Sequence, residues 1–228
     1  MSIKERLFLN LIKDSRWQYL TNGLVNTLII TFFAAVLGIL LGLLIAIIRS
    51  TYDKTGKLKL LNAVCRVYLT IIRGTPSVIQ LMIMYYCIFV SRMFSGIFVA
   101  SIAFGLNSAA YVAEIIRSGI MSIPQGQMEA GRSLGFNYVE TMRYIIMPQA
   151  LKNVLPALCN EFIVLIKETA VSGYVAVQDL TKGGDIIRSR TYDTWTPLLT
   201  VALIYLLLVM FLEQVEKRIE RSLRQNER

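Results

Sequence analysis

Residues 23–48 read GLVNTLIITFFAAVLGILLGLLIAII and contain no charged side chain. A helix of this length is about 37 Å long, which is enough to cross a lipid bilayer with some tilt. Gly38 and Gly42 lie four residues apart, a small-xxx-small pattern that allows close packing against another helix. Arg49 follows the apolar run directly. The stretch therefore predicts a transmembrane helix.

Four more apolar segments follow, and one of them is interrupted. Pro76 removes a backbone donor and disfavours helix at Thr75, so that segment is predicted to kink or to form two shorter pieces. The sequence thus predicts an all-α, polytopic membrane protein with about five transmembrane helices, in one transmembrane domain over residues 1–228. The predicted spans are about 23–48, 60–90 with a kink near 73–76, 95–117, 150–172 and 195–214.

The composition supports membrane lipid as the surrounding solvent. Apolar residues make up 55% of the chain, charged residues 17%, and the mean hydropathy is +0.55. The net charge is +9, but Lys and Arg lie beside apolar spans, where anionic headgroups favour them. We therefore expect no nucleic-acid partner. The chain has no histidine, and no residue spacing predicts a metal site, a catalytic pair or a bound cofactor.

Charge asymmetry predicts the orientation in the membrane. Segments 49–59 and 117–152 and the tail from Gln214 lie on one side if there are five spans, and they carry most of the basic residues. The positive-inside rule places that side, with the C-terminus, in the cytoplasm. A basic cluster of Lys4, Arg6, Lys13 and Arg16 on the opposite side weakens the asymmetry.

The polar segment 118–148 is predicted to form two short helices. Gly135 can adopt the left-handed conformation that ends a helix, and Asn137 with Glu140 forms a capping box for the next one. Apolar residues recur along the segment. On physical grounds alone, docking to another protein and lying on the lipid surface remain equally supported.

This segment resembles the EAA loop of ABC importer permeases, whose pattern is Glu-Ala-Ala, three residues, Gly, nine residues, Ile, one residue, Leu-Pro. Glu129, Ala130 and Gly135 match, Gly131 replaces the second alanine, and Ile145 and Pro148 follow at the family spacing. In that family the loop inserts a coupling helix into a cleft of the ATP-binding subunit. The resemblance implies the same role for residues 118–148.

A narrower resemblance, to the polar amino acid uptake permeases, extends over nearly the whole chain. It is carried by the segments Asn22-Gly23 with Asn26-Thr27, Arg73-Gly74-Thr75-Pro76 with Gln80, the stretch from Tyr111 to Ile120, and Asn160-Glu161 followed by Lys167-Glu168-Thr169. It implies the type I ABC importer permease fold in a bacterial plasma membrane. It also implies a homodimer or heterodimer of permeases, an ATPase subunit that binds ATP and Mg, and an extracytoplasmic amino acid-binding protein.

Glu161 is the main candidate for contact with a substrate. Its carboxylate falls in the middle of a predicted span, where an ionised side chain costs about 2.5–3.5 kcal/mol. An amino acid ammonium could offset that cost, but so could a structural partner such as Arg73 or a backbone donor. The other polar candidates, each of which could instead bond two helices together, are Asn160, Gln80, Asn107, Tyr111 and Thr75.

Two other classes of function remain open at this point. An intramembrane enzyme could use Glu161 and Asp179 as its carboxylates, and a passive channel could use the kinked helix and the midplane polar groups. The chain lacks the Gly-x-x-x-x-Gly-Lys-Ser/Thr pattern for binding ATP. We expect the Lys182-Gly183-Gly184-Asp185 stretch to be a turn within a polar loop at 174–192. Arg, Lys, His, Gln and cystine are all plausible substrates.

Overall fold

The computed structural model of the chain describes residues 2–91 and 93–225, and no described residue belongs to a β-strand. Short π-helical or 3-10 turns join several of the α-helices. The α-helices, in chain order, are α1 (Ile3–Leu7), α2 (Trp17–Thr55), α3 (Lys59–Arg73), α4 (Ser77–Ile83), α5 (Gly96–Met121), α6 (Gln125–Ser133), α7 (Tyr138–Thr141), α8 (Met147–Glu168), α9 (Leu180–Thr191) and α10 (Trp195–Gln225).

Three helices within the described residues are long and apolar enough to cross a membrane, namely α2, α5 and α10. Each extends beyond the apolar segment that the sequence indicates. The helix α2 has 39 residues and ends at Gly56, whose φ of 67° is left-handed. Backbone hydrogen bonds continue past the last apolar residue, because a polar residue outside the bilayer can still be helical. Apolar length therefore underestimates helix length.

The apolar segment at 60–90 consists of two helices, with a break at Gly74–Pro76. The axes of α3 and the α4 region differ by 107°, so together they form either one broken span or a re-entrant loop. Met84–Ile88 continues α4 as a π-helical segment. With this pair counted as one, four spans in the described part of the chain meet the criteria of length and apolarity.

The helix α8 lies where the span 150–172 is predicted, but its bounds and character differ. It runs from Met147 to Glu168 and gives way to a 3-10 segment at Thr169–Val175. It is not among the helices apolar enough to qualify as a span, because Lys152, Glu161, Lys167 and Glu168 interrupt its apolar surface.

The prediction of a polar loop at 174–192, with a turn at Lys182–Asp185, is wrong. Residues Leu180–Thr191 form α9, and the Asp179 side chain caps its first turn by accepting a hydrogen bond from the Lys182 backbone N–H. A Cβ added at Gly183 would lie 2.3 Å from the Tyr19 carbonyl oxygen. The glycine that indicates a turn in the sequence instead allows α9 to pack closely against α2.

The helix α5 lies at the centre of the fold, and most of its residues are buried against α2 and α8. The prediction that Gly38 and Gly42 allow close packing is confirmed. A Cβ added at Gly42 would lie 2.6 Å from Val112 Cγ1, and one at Gly38 would lie 3.0 Å from the Ser108 side chain. These two contacts bring α2 close to the side of α5 that carries Ser108.

Candidate functional site

A cleft of about 560 Å³ lies between α5, α8 and the end of α3. Residues at four-residue intervals on α8 face it, and α5 contributes most of the opposite wall. Both walls carry polar groups among small residues. The lining residues are Arg73, Tyr111, Glu114, Ile115, Ser118, Gly119, Ser122, Asn153, Ala157 and Glu161.

Glu161 lies in this cleft and is held by α5. The Ser108 hydroxyl donates a hydrogen bond of 2.9 Å to Glu161 Oε1. Ser108 is buried, whereas Glu161 is half-buried and lines the cleft. The structural partner of Glu161 is therefore Ser108, and the alternative of an ion pair with Arg73 is wrong. Arg73 instead lies 4.0 Å from Glu114.

Three of the other polar candidates form one hydrogen-bonded network at the break between α3 and α4. The Gln80 amide nitrogen donates to the Ile72 carbonyl (2.7 Å), the Thr75 carbonyl (3.0 Å) and the Thr75 hydroxyl (2.8 Å). The Asn107 amide donates to Gln80 Oε1 at 2.9 Å. The network satisfies carbonyl groups that the helix break leaves free, and it ties α4 to α5.

The remaining two candidates are in different environments. Tyr111 lines the cleft, and the Arg73 guanidinium lies 5.9 Å from the centre of its ring. Asn160 is exposed on α8 and does not line the cleft, although it adjoins Glu161 in sequence. Neighbouring residues on a helix point about 100° apart, so only one of the pair can face this cleft.

Glu114 forms the centre of an ion-pair cluster at one end of the cleft. It pairs with Arg49 of α2, and its second oxygen is 3.4 Å from Arg117. Arg117 also lies 3.3 Å from Asp53. The cluster connects α2, α3 and α5 near the segment that resembles a coupling loop.

The predicted coupling residues lie on or next to α6. Glu129 and Ala130 are exposed, whereas Gly131 is buried against Thr141 of α7, and an added Cβ would lie 2.5 Å from Thr141 Cγ2. The prediction for Gly135 is confirmed, since its φ is 88° and it ends α6. The capping box of Asn137 and Glu140 is confirmed as well. The two short helices therefore pack together as one unit.

The carboxylates that an intramembrane enzyme would need are not together. Glu161 lines the cleft described above, whereas Asp179 lines a separate cavity of about 400 Å³ beside α9. Asp179 is fully buried, and its Oδ2 has no hydrogen-bond partner in the described part of the chain. Burial raises the pKa of Asp179 to about 6.

Several residues of the cleft and its wall are not among those predicted from the sequence, and three of them, Ser108, Ser122 and Asn153, form hydrogen bonds there. Asn153, Ala157 and Glu161 recur at intervals of four, which places them on one helix face, so the sequence does carry a signal for Asn153. The Asn153 amide donates a 3.0 Å hydrogen bond to the Ser122 hydroxyl across the cleft. No pattern in the sequence distinguishes Ser108 or Ser122 from other serines in apolar segments.

Residues 38–225 match the family model described as "Binding-protein-dependent transport system inner membrane component". Among curated proteins, the chain is 40% identical over 162 residues to the arginine transport system permease protein ArtQ of Bacillus subtilis, covering 70% of this chain and 74% of ArtQ. It is 35% identical over 216 residues to the L-cystine transport system permease protein TcyB of the same organism, covering 94% and 90%. A putative glutamine transport system permease protein GlnP of Rickettsia conorii is 38% identical over 172 residues, covering 75% and 79%.

Solved structures match over nearly the whole chain. A crystal structure of an amino acid ABC transporter with histidines has a TM-score of 0.85 and 39% identity, covering 94% of this chain and 98% of that chain. An inward-facing structure of the methionine ABC transporter MetNI has a TM-score of 0.77 and 23% identity, covering 90% and 96%, which supports the fold alone. The architecture is thus that of type I ABC importer permeases. The family match and these identities together show that the chain belongs to the inner-membrane components of binding-protein-dependent transport systems.

Proposed function

We propose that this chain is the permease subunit of an ATP-driven importer and forms half of the translocation pathway for a polar or charged amino acid. The names of its relatives support the amino acid class, since they refer to arginine, cystine and glutamine. Because these three differ in charge and size, the proposal extends to the class and not to one amino acid. A second permease, identical or different, would complete the pathway.

The observation that carries the proposal is the carboxylate of Glu161 in a polar cleft. The bond from Ser108 orients one oxygen of Glu161 and leaves the group at the cleft wall. An amino acid ammonium can neutralise this carboxylate, which offsets the cost of an ionised group within the membrane. Arg73 lines the same cleft and can donate two parallel hydrogen bonds to a substrate carboxylate.

The other predicted residues have distinct roles in this proposal. Tyr111 presents its ring and hydroxyl to the substrate, and its ring supports Arg73. Gln80, Thr75 and Asn107 maintain the break between α3 and α4 that brings Arg73 to the cleft. Their contribution to transport is therefore to position Arg73.

The segment 118–148 would dock on a separate ATPase subunit, which would hold the ATP and Mg that drive transport. The exposure of Glu129 and Ala130 supports docking, because it leaves both side chains accessible to a partner. Leu134 and Val139 beside them are 76% and 69% exposed. With this segment in the cytoplasm, the C-terminus is cytoplasmic as well. An amino acid-binding protein would deliver substrate to the opposite face.

The test is uptake by the complete transporter, with its ATPase and binding protein, in vesicles that contain ATP. The variant Glu161→Gln keeps an oxygen for Ser108 and removes only the charge. A hydrogen bond to a charged group is worth about 1.5–3 kcal/mol, so we expect uptake to fall by about 10- to 100-fold. The matched control is Glu168→Gln on the same helix, because Glu168 is half-buried and does not line the cleft.

Uptake should also require ATP. If uptake proceeded without ATP or without the ATPase subunit, the chain would be a passive channel and the importer proposal would fail. If Glu161→Gln transported normally while the control lost activity, the importer would stand, but Glu161 would not contact the substrate. Assembly with the ATPase subunit, measured by co-purification, should be the same in both variants.

A further inference from the structure

A second cleft, also of about 560 Å³, lies between α2, α3 and α5 and adjoins the first, with which it shares Arg73, Tyr111 and Glu114. Three arginines from two helices line it, together with one hydroxyl from α3 and one from α5. The lining residues are Arg49, Arg66, Leu69, Thr70, Arg73, Gly74, Tyr111 and Glu114. We refer to it as the arginine cleft.

The arginine cleft has more positive charge than its acidic residues can neutralise. Glu114 is the single acidic residue among those that line it, and both of its oxygens already pair with arginines. Even with Arg117 and Asp53 of the adjoining ion pairs included, four arginines face two carboxylates. Arg49 Nε is also buried without a hydrogen-bond partner among the described residues. An anion in the cleft would balance this charge.

The helix α3 presents two different faces, centred about 120° apart around its axis. Arg66, Thr70 and Arg73 recur at intervals of three and four residues and face the cleft. The other face is apolar and uncovered, since Leu60 is 79% exposed, Val64 60%, Val67 59% and Ile71 56%. A ligand that matches both faces has an anionic head and apolar chains.

The position along the chain fits the headgroup layer. Lys57 and Lys59 lie in the basic segment that follows the apolar part of α2 and leads into α3. Arg66 is seven residues into α3, or about 10 Å of helix from Lys59. Basic pockets between membrane helices on the cytoplasmic side are suited to anionic lipid headgroups.

We propose that the arginine cleft binds the phosphate of an anionic phospholipid, with the acyl chains along the apolar face of α3. Arg66 donates to the phosphate oxygens, and Thr70 adds a hydroxyl donor. A free amino acid fits poorly, because its ammonium would meet arginines and both oxygens of Glu114 already pair with arginines. The two clefts share Arg73, Tyr111 and Glu114, but the lipid proposal rests on Arg66 and Thr70, which line only the arginine cleft.

The test measures lipid binding to the purified full chain in detergent by native mass spectrometry. Phosphatidylglycerol is titrated against phosphatidylcholine, which has a phosphate but no net charge. The test variant is Arg66→Gln, because Arg66 is exposed and is not part of the Glu114 ion pairs. The control is Lys57→Gln, which removes an equally exposed charge from the same side of the chain.

We expect Arg66→Gln to weaken phosphatidylglycerol binding by about tenfold and Lys57→Gln by less than about twofold, with phosphatidylcholine unaffected. Arg66→Lys keeps the charge but loses the planar guanidinium, so its loss of phosphatidylglycerol binding should lie between the losses of the two Gln variants. Equal loss in both Gln variants would indicate unspecific charge attraction and overturn the proposal. Complete competition by millimolar inorganic phosphate would assign the cleft to a free anion, and competition by a free amino acid would assign it to substrate. Either result rejects the lipid.

Discussion

The substitution Gly131→Ala tests whether local helix propensity or packing determines the residue at this position of segment 118–148. Alanine is the residue of the EAA pattern at this position, and it favours helix over glycine by about 1 kcal/mol. Propensity alone therefore predicts that the variant is more stable. The structure predicts the opposite, because the new Cβ would lie 2.5 Å from Thr141 Cγ2 and 2.9 Å from Ile145 Cδ1.

The contact with Thr141 is difficult to relieve. Thr141 is fully buried, and its hydroxyl donates a hydrogen bond of 2.9 Å to the Asn137 carbonyl, which fixes the rotamer. Overpacking of a buried site costs about 1–3 kcal/mol, which equals or exceeds the gain in propensity. We expect Gly131→Ala to destabilise the chain by ~1 kcal/mol and to lower its thermal unfolding midpoint by ~2–4 °C.

A double-mutant cycle separates the two effects. Thr141→Ser deletes Cγ2, the nearest atom, but keeps the hydroxyl that bonds Asn137. A Cβ added at Gly131 then meets that hydroxyl oxygen at 3.0 Å and, at 2.9 Å, the terminal Cδ1 of Ile145, which can shift. Adding Gly131→Ala to this background should raise the unfolding midpoint, with a coupling energy of at least ~1 kcal/mol. Thermal unfolding of the purified chain at a fixed detergent concentration measures all four members of the cycle. The reasoning is refuted if Gly131→Ala stabilises the original chain by the full propensity difference, or if the two substitutions are additive.

Two further predictions concern α9 and a matched pair of glycines. Burial raises the pKa of Asp179 to about 6, above the ordinary value, so the chain should lose stability as pH rises from about 4 to about 6. The difference between the raised and the ordinary pKa of Asp179 corresponds to a loss of at most ~3 kcal/mol in the free energy of unfolding. Asp179→Asn should flatten this dependence, and unfolding midpoints between about pH 4 and pH 7 that matched those of the original chain would contradict the assignment. Gly183→Ala should destabilise by ~2 kcal/mol, because its Cβ meets the Tyr19 backbone, whereas Gly126→Ala, with no atom within 4 Å, should stabilise the chain by up to ~1 kcal/mol. Equal effects at the two glycines would show that close packing of α9 is unimportant.

Prediction from the sequence succeeds best where one local rule applies. The apolar run at 23–48 predicts a helix, the glycine pair predicts its packing, and Gly135 with Asn137 predicts the ends of two short helices. Each depends on residues within one or two turns. The type I fold and the family follow from motifs in the order of the chain, which need no contact between distant residues.

The errors arise where tertiary contacts determine the outcome. Polarity and two adjacent glycines indicate a loop at 174–192, but buried contacts with Tyr19 and Val201 stabilise a helix there. Arg73 is a reasonable partner for Glu161 by charge, yet the fold brings Ser108 to that carboxylate instead. Because Ser108 is 53 positions away in sequence, no pattern in a single chain reveals the pair.

One unbroken helix connects the two ends of the molecule. The helix α2 has 39 residues, or about 58 Å. Near its start, a Cβ at Gly23 would lie 2.5 Å from the Asp179 carbonyl oxygen beside α9, and near its other end Arg49 pairs with Glu114 at the cleft. Because α2 is a single helix in close contact at both ends, a tilt of the helix moves both contacts. We therefore expect a displacement of α9 to reach the other end of α2 as a shift of Arg49 against the cleft wall.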